Sequence, residues 1–135
     1  MIDIENALFD KLANLLETEF SELADNVYSE IPNEISSFPL VVITEVSNLN
    51  YIRGQDNNEF ENYATIAYDV NIYSNKISGA KLECKAILTK LDIMFLNYNF
   101  RRISYIPFKN NDDNVYRLTA RYQAVVSNDY RLYSR

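Results

Sequence analysis

Near the C-terminal end five cations, Arg101, Arg102, Lys109, Arg117 and Arg121, are interleaved with Tyr105, Tyr116 and Tyr122. This mixture suits single-stranded nucleic acid, where cations follow the phosphates and aromatic rings stack on bases. Two features oppose that use. The whole chain carries a net charge of −6, whereas the phosphate contribution grows with local positive charge. Tyr116 and Tyr122 also share the inward phase of an alternating segment, which favours packing over stacking on bases. Cys84 is a second candidate, as a nucleophile. A thiol needs a base or an electropositive setting to ionise, and the chain has no histidine. The usual proton acceptor near neutral pH and the commonest metal ligand are therefore both missing. Cys84 lies on an apolar helix stripe, so a packing role is expected. Glu59 with Glu61, and Asp112 with Asp113, are the nearest paired carboxylates. Both pairs lie in polar segments with nothing to shift their pKa values. The second also lacks the alternating acids and glycine of a calcium loop. A single cysteine excludes an intrachain disulfide and a cysteine-based zinc site. With glycine only at positions 54 and 79, no phosphate-cradling loop can form. A non-enzymatic protein with no catalytic, metal or cofactor residues is expected.

The charges are divided by position. Residues 1–70 hold fourteen carboxylates and two cations, Lys11 and Arg53, while residues 71–135 hold five carboxylates and eleven cations. The halves are thus near −12 and +6. At 135 residues, 47% of them hydrophobic, a single domain spanning residues 1–135 can bury a core without staples. The eleven tyrosines suit half-wet surfaces as well as strands. The first residues, Met1-Ile2-Asp3-Ile4-Glu5, are acidic and unlike a secretory signal. The longest apolar runs, such as Leu40–Ile43, are too short to span a bilayer. A soluble protein of a reducing cytosol, without a membrane partner, is expected.

Ile4, Leu8, Leu12, Leu15 and Leu16 recur at helical spacing, which predicts a helix over 4–17 with Asp3 as its cap. Ile31-Pro32 and Phe38-Pro39 mark an extended lead-in. Leu40 to Val46 reads as a strand, with Leu40, Val42 and Val46 on one face and Val41 and Ile43 on the other. Residues 50–62 read as a polar loop, of a length that favours function. Residues 63–73 alternate as a second strand. A second helix is expected over 78–97, capped by Ser78. It has one apolar stripe of Ala80, Cys84, Ile87, Leu88, Leu91 and Phe95. An opposite stripe of Leu82, Ala86 and Ile93 is expected to meet the first helix or another subunit. Residues 101–108 and 115–126 read as a hairpin turning at 110–114. The tail from Asp129 adds a short strand. The expected fold is α+β in the order α-β-β-α-β-β, with a mostly antiparallel four-stranded sheet and helices on one face.

Four segments carry a resemblance to a known family. They are Val27-Tyr28-Ser29-Glu30-Ile31-Pro32, Phe38-Pro39-Leu40-Val41-Val42-Ile43, Val70-Asn71-Ile72-Tyr73-Ser74 running into Gly79-Ala80, and Arg117-Leu118-Thr119-Ala120-Arg121-Tyr122. Together they resemble the tail-terminator and tail-completion (neck) proteins of tailed bacteriophages. Head-completion stoppers share that size and composition. The resemblance implies a homo-oligomeric ring, usually hexameric, which caps the head-proximal end of the tail tube. The implied partners are the tail-tube protein, the head–tail connector proteins and, in contractile tails, the sheath, with DNA passing through the ring lumen. The implied location is the virion tail or neck, after assembly in the host cytoplasm. The family brings no catalytic residues. On this basis Arg101, Arg102, Lys109, Arg117 and Arg121 are expected at subunit or lumen contacts, and the loop carrying Arg53, Glu59 and Glu61 against tube or connector. The acidic flank of one subunit is expected either to meet the basic flank of the next or to neutralise its own.

Overall fold

The computed structural model describes residues 3–33, 37–50, 63–110, 115–127 and 132–133. Helix α1 spans Glu5–Glu19 and is followed by a 3-10 turn at Ser21–Leu23. A two-residue strand β1, Val27–Tyr28, precedes β2, Leu40–Asn50, and β3, Tyr63–Ser74. Helix α2, Ala80–Asn97, leads to β4, Arg101–Asn110, then β5, Val115–Ser127, and β6, Leu132–Tyr133.

Each helix is set by local signals. Asp3 Oδ1 accepts a hydrogen bond from the Glu5 amide at 3.1 Å, satisfying one of the orphan donors at the start of α1. Leu8, Leu12, Ala13 and Leu16 are buried. Leu15, expected among them, is 40% exposed, because it sits about 100° round the helix from Leu16. Ser78 does not cap α2. Gly79 holds that place with φ of 93°, and no side chain bonds the first turn. The other end is a Schellman motif. Asn99 takes the left-handed position with φ of 65°, the Phe100 amide bonds Phe95 O at 2.8 Å and the Asn99 amide bonds Leu96 O at 3.0 Å. Asparagine is among the few residues that accept this geometry readily, and the turn delivers Phe100 into the core.

The class is α+β, as expected, but the sheet is larger and mixed. Its order is β1-β2-β3-β5-β4, with β6 also on β5. β1 runs parallel to β2, and the remaining pairs are antiparallel. The expected four strands become a five-strand path because Val27–Tyr28 is too short to show alternation. The Val41 amide donates to Asn26 O at 3.0 Å, and tertiary pairing of this kind makes so short a strand. β6 continues the β5 edge beyond the end of β4, opposite Val125 and Val126.

Two bulges reset side-chain phase. Register shifts between Glu45 and Ser47, leaving Val46 unopposed. Val46 therefore does not continue the Leu40–Val42 row; a bulge adds a residue to one strand and changes which face follows. Glu45, just before the bulge and in phase with Val41 and Ile43, stands opposite Tyr68 on the helix side. A second shift at Ile103 puts Arg102 opposite Tyr122 and Ser104 opposite Arg121. Every second residue of β3 and β5, from Ala64 to Ile72 and from Leu118 to Val126, joins one cluster with the buried side chains of both helices. Both helices thus cover the same face of the sheet. At its centre Phe95 stacks on Tyr122 at 4.2 Å, and Phe100 meets Phe95 and Tyr68 edge-on at 5.2 and 5.7 Å. Rings so placed add attraction beyond the area they bury.

Buried Asn26 ties the lead-in to this frame. Its Nδ2 donates to Pro39 O at 2.8 Å, to Ser37 Oγ at 2.8 Å and to Ser37 O at 3.2 Å. The Tyr28 hydroxyl donates to its Oδ1 at 3.2 Å. The following Phe38–Pro39 bond is cis.

Candidate interaction site

The sheet order decides where the two charge halves lie. β1, β2 and β3 come from the acidic half, and β5 and β4 from the basic half. α1 packs beside β1 while α2 lies over β3 and β5. Among the described residues α1, β1 and β2 thus lie towards one side, while β4, with α2 over the middle of the sheet, lies towards the other. The halves meet in the middle. At that seam Arg121 grips Asp69 through Nε–Oδ1 at 2.6 Å and Nη2–Oδ2 at 3.0 Å, and Lys90 lies 3.8 Å from Glu19.

The five C-terminal cations do not form one patch. Arg117 and Arg121 lie on the sheet face away from the helices. Arg117 donates twice to Asn71 Oδ1, at 3.0 and 2.8 Å, and lies 5.8 Å above the Tyr73 ring. Thr119 Oγ1 donates to the same oxygen at 2.8 Å. Arg102 lies on the helix side, 3.0 Å from Asp92 Oδ1. Arg101 is exposed beside it. Lys109 stands opposite Tyr116 in the β4–β5 register. Arg53, Glu59 and Glu61, and the turn acids Asp112 and Asp113, lie outside the described residues.

The Cys84 thiol finds no reactive setting. Cys84 is buried, with Sγ 3.8 Å from Ile72 O and 4.0 Å from Tyr116 O. Burial, and then the Glu83 charge, push its thiol up to about 12. Two tyrosines face each other across β3 and β5, Tyr68 and Tyr122. Tyr68 donates to Glu45 Oε1 at 3.3 Å and Tyr122 to Asp92 Oδ1 at 2.8 Å. Burial raises both phenols far above their ordinary range, and the carboxylate partners add to it. Glu45 is raised too, by burial first and then by the charge of Glu5, against the lowering effect of the Tyr68 hydrogen bond. Tyr122 is fully buried, so it cannot stack on a base. Among the described residues, no group of three or more histidine, cysteine or carboxylate side chains could hold a metal, and no helix is long and apolar enough to cross a membrane.

What remains exposed is apolar and basic on the α2–β4 flank. The second α2 stripe is uncovered within the chain: Leu82 is 73% and Ile93 51% exposed, with Leu96 beside them. α1 meets α2 elsewhere, with Lys11 over the Tyr98 ring at 5.7 Å. A groove of about 260 Å³ lies between α2 and β4, lined by Lys85, Leu88, Thr89, Asp92, Arg102 and Tyr105. Ile103, Tyr105 and Ile106 are exposed along β4. Sequence reasoning named the α2 stripe but not the lysines that border it. Lys81 and Lys85 each adjoin a stripe residue, Leu82 and Ala86, and that adjacency was the available signal. Asp69, Asn71 and Asp92 were also missed as partners, because a pairing across strands cannot be found without the strand order.

No protein-family model matches the chain, and comparison with curated proteins finds no match.

Proposed function

We propose that this protein is a structural component of a tailed-phage virion, a tail terminator that forms a ring on the head-proximal end of the tail tube and joins tail to connector. The observation that carries the proposal is the sorting of charge onto opposite flanks of one sheet, with exposed apolar side chains on each. A subunit with unlike, complementary flanks is suited to head-to-tail association, which closes into rings. The four segments quoted for the resemblance fall in the lead-in and β2, at the end of β3 running towards α2, and in β5. In the ring, the segment carrying Arg53, Glu59 and Glu61 contacts tube or connector. Arg101 and Lys109 contact a neighbour or the lumen, through which DNA passes. Capping would then rest on shape and charge, repeated around the ring for avidity.

Electron microscopy and mass measurement of the purified protein, alone and with tail tubes, test the reading. A ring seated at one end of the tube is expected. Rings that bind only a connector would instead identify a head-completion stopper, and a protein that stays monomeric and never marks a tube end refutes both. Use of the C-terminal hairpin for nucleic acid is disfavoured, since Arg102, Arg117 and Arg121 are engaged within the chain and Tyr122 is buried. Salt-sensitive binding of oligonucleotides at low salt would reverse that judgement.

A further inference from the structure

We propose that the α2–β4 flank is the docking surface for the α1 flank of a second copy of this chain. The inference rests on the assembly reading and specifies which surfaces make the joint. On the receiving side, Leu82, Ala86, Ile93 and Leu96 form the uncovered stripe of α2. Their spacing of four, seven and three residues keeps them on one helix face. Lys81 and Lys85 are exposed beside them, and the groove between α2 and β4 supplies an apolar floor of Leu88 and Tyr105. Among the described strands the outer edge of β4 is unpaired.

Charge chooses the occupant. On the side of α1 turned away from α2, Asp10 is exposed with Glu17 half-buried beside it, and Glu22 is exposed in the 3-10 turn that follows, whereas Glu19 is already paired with Lys90 within the chain. The only cation of α1, Lys11, is drawn over Tyr98. Ala7 and Thr18, exposed round the helix between Asp10 and Leu15, are small residues that let a helix approach closely. Pairing two α2 flanks sets lysine against lysine, and pairing two α1 flanks sets acid against acid. Only the unlike pairing is attractive, and an unlike joint leaves one flank of each kind free for the next copy. Arg117 and Arg121 are not needed, since each is already engaged on the other sheet face.

The experiment compares wild-type protein with two charge-reversed variants, Lys81→Glu/Lys85→Glu and Asp10→Lys/Glu17→Lys, by native mass spectrometry and light scattering, with circular dichroism as the check on folding. Wild type is expected to assemble beyond a dimer and to weaken as salt rises. Each folded variant alone is expected to assemble on the order of 30-fold more weakly per joint. Mixed in equal amounts they are expected to recover assembly. One joint then pairs two native flanks, and the next pairs two reversed ones. Variants that keep the wild-type mass would overturn the proposed joint and leave the ring intact as a reading. So would folded variants that dissociate but do not rescue each other. A monomeric wild type would remove the assembly reading itself.

Discussion

Exchanging the charge of Arg121 discriminates between salt bridges that hold one subunit together and those that join neighbours. Arg121 and Asp69 form a two-pronged contact across β5 and β3, with side chains 47% and 20% exposed. Exposed pairs contribute about 0.2–1 kcal/mol, and the fork geometry with a mostly covered carboxylate places this one near the upper value, ~1 kcal/mol. Arg121→Glu removes that attraction and sets two carboxylates opposite each other, adding up to ~1 kcal/mol. The total of roughly 1–2 kcal/mol corresponds to a fall of about 4–8 °C in melting temperature for a domain of this size. The exchanged pair, Asp69→Arg with Arg121→Glu, should recover most of it. Thermal melts and molecular mass are measured on the same samples, because assembly itself raises apparent stability. The alanine double-mutant cycle should give a coupling of about 1 kcal/mol with the mass of the assembled species unchanged. A coupling below roughly 0.2 kcal/mol together with loss of assembly would refute the assignment of this pair to the subunit interior.

Three further outcomes follow from the core and its borders. Asn26→Ala removes three donated hydrogen bonds and leaves Pro39 O without that donor, so a loss of roughly 2–3 kcal/mol is expected in urea titrations. Cys84 should react with a thiol reagent at pH 8 about 10³-fold more slowly in the native state than after unfolding, because little thiolate exists and the sulfur is covered; comparable rates would show that α2 opens readily. Glu45 has its folded pKa raised above the ordinary 4.5, so the native state holds that proton more tightly. Its contribution is present below the unfolded value and is lost as pH rises through the folded one. Glu45→Gln should therefore melt higher than wild type at pH 7, with the difference shrinking as pH falls towards 4. A difference that grows on acidification would contradict the burial of this carboxyl.

Residues close together in the chain determined a large part of this fold. The period-two runs in β3 and β5 place Ile66, Tyr68, Val70 and Ile72, and Leu118 to Val126, on the core face, as the structure has them. The stripe from Cys84 to Phe95 orients α2. These signals were legible because a single element carries them. Tertiary structure decided what depends on distant partners. Val27–Tyr28 becomes a strand only through pairing with β2, and the bulges at Val46 and Ile103 redirect the side chains that follow. Alternation alone shows that Asp69 and Arg121 both face outward, but their meeting requires β3 to lie beside β5. The same order, β1-β2-β3-β5-β4, turns a division of charge along the chain into two flanks in space. Local periodicity assigns a side chain to a face, whereas its partner is selected by the pairing of strands far apart in sequence.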